Sequence, residues 1–511
     1  MTFAPLPHDR ITVNNPASTA NCLETHVLIK AVALFFVAFA LYFVSRSPGL
    51  DEIDSVNFAM GIRHFNLWEH QPHPPGYPLF IFLGWFGVKF FGASPETSLH
   101  FISALGGGLF VGVWFLIIRL QFTERFAWWV TLCLAITPAV WMTTTKVLTD
   151  SLAAGLISAE ILAALCFLQG GSLAALLNAS LFGAAATGAR PQLIIIVLVI
   201  LITTLRRRHA TMKMSVLALS ILVTGCLLWL LPMCYIQWRL KPETPAWLVY
   251  PKLAYSQWQW RLDKPGVYVG AGDWSLHYLG TRIAYHLLGW FGLGFGFIQS
   301  LFVLVGGSVI AIAGLGSYVS RARKLGDQDF WRFHAPWALV HVAIIFISLS
   351  PAPRYYLIIF PLLLVAWLRG LLCMRAPWNW TALALPALLL YIAIPLAIEN
   401  HREEPPATRL VRYLNKLYPP SRREDVCLLL GKVKRHADWY APEFVTFHDI
   451  PPPRDLPQVL AGAAAVYTDD AKVPLPPSWH RVPLAVFARS PVIHWKHHFV
   501  ELYLIDRSEH Q

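Results

Sequence analysis

Four short stretches of the chain set acidic, cationic and aromatic residues at the ends of long apolar runs. The first is DEIDSVNFAMGIRHFNLWEHQPHPPGYPLF, which begins at Asp51. Its three carboxylates Asp51, Glu52 and Asp54 fall within one helical turn. On a helix, Asp54, Asn57, Phe58 and Gly61 share one face, and Ile53, Val56 and Met60 share another. Asp51 suits the helix cap, and Glu52 and Asp54 suit the positive end of the helix dipole. Three carboxylates exceed what a cap needs, and a stiff segment follows at once. In HQPHPPGYPLF, Pro72, Pro74, Pro75 and Pro78 lack an N–H and have φ locked. They exclude a helix interior or a central strand. Irregular backbone is not tolerated against lipid, so this segment lies at the surface or lines a cavity.

The second stretch is TTTKVLTDSLAAG, with Lys146 and Asp150. Asp150 fits a helix cap, and the pair also fits a charge-handling site at a membrane edge. The third, GARPQ, sets Arg190 before a proline, where a snorkelling arginine also fits. The fourth, SPAPRYYLIIFPLL, opens a span with Arg354 and Tyr355, and its tyrosines also suit an aromatic belt. Glu160 lies inside an apolar run and is assigned no role. Together these groups suit a substrate with an anionic head in water and a lipid tail in the bilayer. Arg and Lys grip phosphate, and a carboxylate deprotonates a hydroxyl or holds a divalent metal.

The elements that must position these groups are membrane spans. Of 511 residues, 56% are hydrophobic and 14% charged, with mean hydropathy +0.50. That composition belongs to a polytopic α-helical membrane protein. The net charge of +12 does not signal nucleic acid, because Lys and Arg collect at the ends of apolar runs. Membrane lipids or an anionic lipid substrate account for the remaining excess. Five of the seven cysteines (Cys133, Cys166, Cys226, Cys234, Cys373) lie in apolar runs without metal or disulfide spacing, as small buried thiols do.

The polar tail, 1–25, has no small-residue cleavage site and leads into an uncleaved span at 26–45. Apolar segments follow at 79–92, 98–118, 126–145, 152–168, 173–188, 191–205, 214–235, 286–319, 335–350, 355–372 and 379–398. The 79–92 segment is short enough to be interfacial or re-entrant. Clusters at Arg119/Arg125, Arg206–Lys213, Arg321–Lys324 and Arg369/Arg375 fall on one side if 79–92 does not cross and 286–319 crosses once. That side is the cytoplasm, which gives about 11 spans with the N-terminus inside. The loop 46–78, Asp150, Arg190, the segment 236–285 and Arg354 then face outward, as does the C-terminus. The membrane domain is 26–398, and 399–511 reads as a small extracytoplasmic α/β domain. ATRLVRYLNKLYPP and RHADWYAPEF read as helices, DVCLLLGK, PLAVFAR and HFVELYLI as strands, and RDLPQVLAGAAAVYTDD as helix then strand. This domain has no nucleotide-binding glycine fingerprint and reads as accessory.

These residues resemble the GT-C superfamily of membrane glycosyltransferases. DEIDSVNFA is similar to the acidic motif of the family's first extracytoplasmic loop. HPPGYPL resembles the segment after it in the protein O-mannosyltransferase-like and aminoarabinose-transferase-like branches. LTDSLA looks like the second-loop acidic motif, and GARPQ and RYYL resemble recurrent family segments. The resemblance implies an inverting transfer of sugar from a polyprenyl-phosphate-linked donor to an acceptor hydroxyl of unknown kind, at the outer face of a bacterial cytoplasmic membrane. It implies that a first-loop aspartate is the base or sits beside a metal. Two registers are open: one carries over Asp51 and Glu52, the other Asp54, with Asn57 where the family expects Glu. The spacing from DSVNFA to HPPGYPL favours Asp54. Asp150 then positions the acceptor or a metal, and Lys146, Arg190 and Arg354 bind phosphate, with Tyr355 beside them. His70 and His73 are candidates to face sugar or phosphate, and each also fits a structural role. No cofactor is required by this reading, and a divalent metal at Asp54 or Asp150 stays open. The alternative is a lipid or small-molecule transporter, which predicts inverted repeats and broken helices meeting at mid-bilayer.

Overall fold

The computed structural model describes residues 24–262, 276–348, 352–375, 378–447, 451, 455–494 and 498–507. Most of the 1–25 tail and part of the outward 236–285 segment lie outside them. An uninterrupted apolar run makes α1 (Thr25–Val44), and the acidic loop after it holds α2 (Ile53–Arg63). Pro78 sits in the first turn of α3 (Pro78–Phe91), where its missing N–H costs no hydrogen bond. Ser94 and Thr123 side chains cap α4 (Pro95–Arg119) and α5 (Glu124–Ile136). At Pro138 the chain bends by 57° into α6 (Pro138–Thr144). Then come α7 (Thr149–Gly170), α8 (Leu173–Ala189), α9 (Ile194–Arg207) and α10 (Met212–Leu240). The outward segment carries α11 (Ala246–Leu262) and α12 (Leu276–Leu287). A π-helical turn, Leu288–Gly294, separates α12 from α13 (Leu301–Arg321). The membrane part ends with α14 (Gln328–Ser348), α15 (Phe360–Leu372) and α16 (Thr381–Arg402).

By length and composition, seven helices among the described residues can cross a membrane, or eight with the bent α5–α6 pair. This is fewer than the expected 11 or so, for local reasons. The helices α8 and α9 have 17 and 14 residues. At about 1.5 Å per residue they fall short of a hydrocarbon core about 30 Å thick. The same holds for α3, whose 14 residues agree with a segment that does not cross alone. The apolar stretch 286–319 is divided by the π-helical turn, and its second part, α13, still provides the one crossing expected of it.

Helix α4 lies at the centre, against α1 and α7. Its apolar window is 83% buried, against 28% for α1 and 11% for α10, whose outer faces are left for lipid. Small residues allow the central contact: a Cβ on Gly106 would lie 2.4 Å from Leu152 Cα.

The C-terminal part begins with α17 (Pro406–Leu417), whose apolar stripe covers a sheet. Strand β1 (Val426–Leu429), α18 (Lys434–Tyr440), β2 (Val445–Phe447), α19 (Leu456–Gly462), β3 (Ala465–Thr468), β4 (Trp479–Ala488) and β5 (Phe499–Arg507) follow. The sheet order is β2-β1-β3-β5-β4. Strands β2, β1 and β3 are parallel, with Cys427 opposite both Val445 and Val466, while β5 and β4 join antiparallel. The short β2 was not expected from sequence. After β1 the chain turns at Gly431, and the N–H groups of Gly431, Lys432 and Val433 donate to the Asp469 carboxylate at 2.6, 2.8 and 2.9 Å. The domain's own side chain thus fills the turn that binds phosphate in many α/β folds. The β4–β5 connection is not confined to this domain. Its Val492 and Ile493 are buried in the apolar core of the membrane part.

Candidate active site

The acidic helix is held from three sides. Its first residue is Ile53, so Glu52 and not Asp51 occupies the cap position, and Ser55 Oγ accepts the Glu52 N–H at 3.4 Å. Asp51 is free of the capping role because it is drawn into an ion pair. It is buried, paired with Arg489, and lies 2.9 Å from Lys146 Nζ. Lys146, in the turn between α6 and α7, also donates to the Ile493 carbonyl. Burial pushes the Lys146 ammonium down to about 8, against the opposing pull of Glu52.

The proline segment forms the fourth wall. Asn66 and Gln71 exchange backbone hydrogen bonds of 2.7 and 2.8 Å, and His70 turns the chain with φ of 59°. Gly76 has φ of 103°, a conformation that favours glycine. The loop closes on α2 where Gly61 leaves room: a Cβ there would stand 2.7 Å from Pro72 Cδ. Gln237 of α10 secures the loop by accepting the Leu67 N–H at 2.8 Å and donating to the Phe65 carbonyl at 3.0 Å. The segment thus packs against α2 and reaches Asp54 through His73.

Arg354 enters at the start of the helical turn Pro353–Ile359. Its guanidinium pairs with Glu52 and, at 3.0 Å, with Asp54 Oδ2. Arg190, where α8 ends, pairs with Asp150 in the first turn of α7. Asp150 follows Thr149 inside the helix, so it is a first-turn carboxylate and not the cap that the spacing suggested. The Tyr355 ring lies between the two cations, 5.2 Å from the Arg190 guanidinium and 5.1 Å from that of Arg354. These groups form the polar end of a cavity whose other wall includes Ile196, Ile344, Ile345 and Ile358. His73 stands behind Asp54: Nδ1 is 3.6 Å from Asp54 Oδ1, and Nε2 is 2.9 Å from the Tyr77 hydroxyl. His70 is exposed on the other side of the loop, toward Lys434 and Arg435, away from this cluster.

Of the residues singled out from sequence, Asp150, Arg190, Arg354 and Tyr355 line the cavity, Glu52 and Asp54 are joined to it through Arg354, and His73 is joined through Asp54. Asp51 and Lys146 form a buried pair. Sequence reasoning missed Arg489 and His494, whose Nε2 lies 3.7 Å from both Asp51 Oδ1 and Glu52 Oε1. The cluster ARSPVIHWKHH, with its arginine and histidines around an apolar PVI, was the available signal. It also missed His341, which lines the cavity and is 2.9 Å from the Tyr355 carbonyl.

A divalent metal would need several converging carboxylate or imidazole ligands with no cation between them. Here Asp54 faces Arg354, and Asp150 faces Arg190. Among the described residues no group of three His, Cys, Asp or Glu side chains converges in that way. The arrangement does not fit a resident metal at Asp54 or Asp150.

Residues 72–236 match the family model described as dolichyl-phosphate-mannose-protein mannosyltransferase. That segment runs from the proline loop through most of α10 and includes Lys146, Asp150 and Arg190. Over it, the resemblance read from the loop motifs is borne out. No curated protein matches the chain by sequence. Similar solved structures include two of ArnT from Cupriavidus metallidurans. The form bound to undecaprenyl phosphate has 16% identity, covers 94% of this chain and 98% of that one, and gives a TM-score of 0.48. The apo form has 16% identity, covers 93% and 98%, and gives 0.49.

Proposed function

We propose that the protein is an inverting GT-C-type glycosyltransferase that takes sugar from a polyprenyl-phosphate-linked donor and passes it to an acceptor hydroxyl. One observation carries this reading. Arg190 and Arg354, each close to the Tyr355 ring, line a cavity together with Asp150, Gln192 and His341 and a largely aliphatic remainder that includes Leu193, Ile196, Ile344 and Ile358. Such a cavity suits a phosphate joined to a hydrocarbon chain.

Exposure ranks the three carboxylates of the loop. The side chains of Asp54, Glu52 and Asp51 are 31%, 17% and 1% exposed. Asp54 is the most accessible of the three and pairs with Arg354, which lines the cavity, so it is assigned as the base. The acceptor hydroxyl gives its proton to Asp54 while its oxygen bonds to the anomeric carbon. The carbon–oxygen bond to phosphate breaks, and its electrons leave with the lipid phosphate. Arg190 and Arg354 hold the charge that develops there. The incoming phosphate also competes with Asp54 for Arg354, which makes the carboxylate a better proton acceptor once donor is bound. Asp150 keeps Arg190 in place.

The site faces outward in this reading, opposite the positive helix ends. Arg369 pairs with Asp327, Arg207 with Asp329, and Lys30 of α1 with Glu124 of α5, on the side assigned to the cytoplasm. The test is release of sugar from radiolabelled polyprenyl-phosphate-sugar by purified protein in lipid. Asp54→Asn should lower turnover by about 10²–10⁴-fold, the usual contribution of a general base. Full turnover in Asp54→Asn would remove it as the base. Movement of the donor across the bilayer without bond cleavage would favour the transporter instead.

A further inference from the structure

We infer that the C-terminal domain is a working part of the site. Arg489 and His494, with His436 and Tyr440, act as positioning residues that fix Leu50–Glu52 and so aim Glu52 and Asp54 at Arg354. The observation is a convergence on three consecutive residues. The Leu50 N–H donates to the Tyr440 hydroxyl at 2.9 Å. Its carbonyl accepts from His436 Nε2 at 3.2 Å and from Thr408 Oγ1 at 3.4 Å. Asp51 meets Arg489, and His494 stands equally close to Asp51 and Glu52. Three segments of the C-terminal domain, α17, α18 and the β4–β5 connection, therefore hold the entry to α2, and the candidate base lies two residues beyond Glu52.

The connection that brings Arg489 and His494 is anchored in turn. The Ser490 N–H donates to Glu399 Oε1 of α16 at 2.7 Å, and Gln299 Nε2 donates to Ser490 Oγ at 3.2 Å. Val492 and Ile493 are buried in the membrane-domain core. The Arg489 side chain is fully buried, and its Nε and Nη1 have no hydrogen-bond partner among the described residues. Burial lowers its pKa to about 9. A buried ion pair is seldom kept for stability, since an apolar pair of the same volume commonly serves as well. A pair that sets the direction of a helix has a reason to be kept.

Its consequence for turnover rests on the glycosyltransferase reading, but the positioning does not. The experiment therefore reads both, in full-length protein reconstituted in lipid. Hydrogen exchange of residues 48–60 is compared among wild type, Arg489→Gln, Arg489→Lys and the double variant Asp51→Asn/Arg489→Gln, alongside kcat and donor KM. In Arg489→Gln, exchange at the start of α2 should rise about tenfold. There kcat should fall about 100-fold, the scale of a small misplacement. Donor KM should stay within about threefold, because Arg190 and Asp150 lie outside the clamp. Arg489→Lys should restore much of both readouts, since it keeps the charge beside Asp51, whereas the double variant should restore neither, since Asp51→Asn takes the partner from the buried Lys146 ammonium 2.9 Å away. Unchanged exchange and unchanged kcat in Arg489→Gln would overturn the inference, as would Arg489→Lys failing to recover either. If Arg489→Gln does not fold, His494→Gln carries the comparison, with faster exchange at the start of α2 expected and unchanged exchange overturning the inference. Faster exchange in Arg489→Gln, with no turnover even in wild type, would keep the positioning and discard the glycosyltransferase.

Discussion

His436 couples the docking of the C-terminal domain to pH. Its ring is 1% exposed and donates to the Leu50 carbonyl at 3.2 Å. Burial pushes its pKa from 6.5 down to about 4, with the hydrogen bond to Leu50 opposing in part. A ring freed by undocking binds a proton more readily than the docked one between those values. The docked state is therefore fully supported above about pH 6.5, and that support is lost as pH falls toward 4. The whole shift corresponds to about 3 kcal/mol, of which about 2 kcal/mol is gone by pH 5. Hydrogen exchange of residues 48–64 and 434–440, corrected for intrinsic rates and followed from pH 7 to 5, should report progressive loss of protection. His436→Gln keeps a donor for Leu50 without a titrating ring, so its protection should depend much less on pH. The same acid response in both proteins, or none in wild type, would refute the reasoning.

Three further outcomes are expected. Asp469→Ala removes the acceptor for three backbone N–H groups. At about 1–3 kcal/mol for each orphaned donor, it should abolish cooperative unfolding of the C-terminal domain in thermal melts, with Asp469→Asn milder. Gly61→Ala sets a Cβ 2.7 Å from Pro72 Cδ, which should destabilise the proline loop by about 1–3 kcal/mol, read as a lower melting midpoint. Arg190→Gln leaves Asp150, 6% exposed, without its counter-charge and takes one cation from the cavity. Equilibrium binding of polyprenyl phosphate should weaken about tenfold or more, against little change for Lys30→Gln on the opposite side.

The opening loop shows where sequence is legible. Four prolines, an acidic helix and the run Pro78–Phe91 obey local rules, and each sits in the structure as an irregular wall, a helix and a short helix. The strands and helices of the C-terminal domain were equally readable, apart from β2, whose three residues are too few to show a period. Span number was less readable, because apolar runs such as those of α8 and α9 form helices of only 17 and 14 residues, short of a full crossing. The carboxylates were visible as a group but not as individuals. Asp51 and Asp54 look alike in the motif, yet one is buried against Arg489 and the other is partly exposed and paired with Arg354.

From the sequence alone followed a polytopic helical protein with an acidic outer loop, phosphate-suited cations at several span ends and an α/β domain behind them. Hydrophobic length, helical period and the backbone limits of proline act over a few residues, so they can be read along the chain. Tertiary structure alone decided the partners: Arg190 with Asp150, 40 residues apart, Arg354 with Glu52, 302 apart, and Arg489 with Asp51, 438 apart. Which opposite charges meet depends on which side chains share one water-poor volume, and no local period along a chain records that.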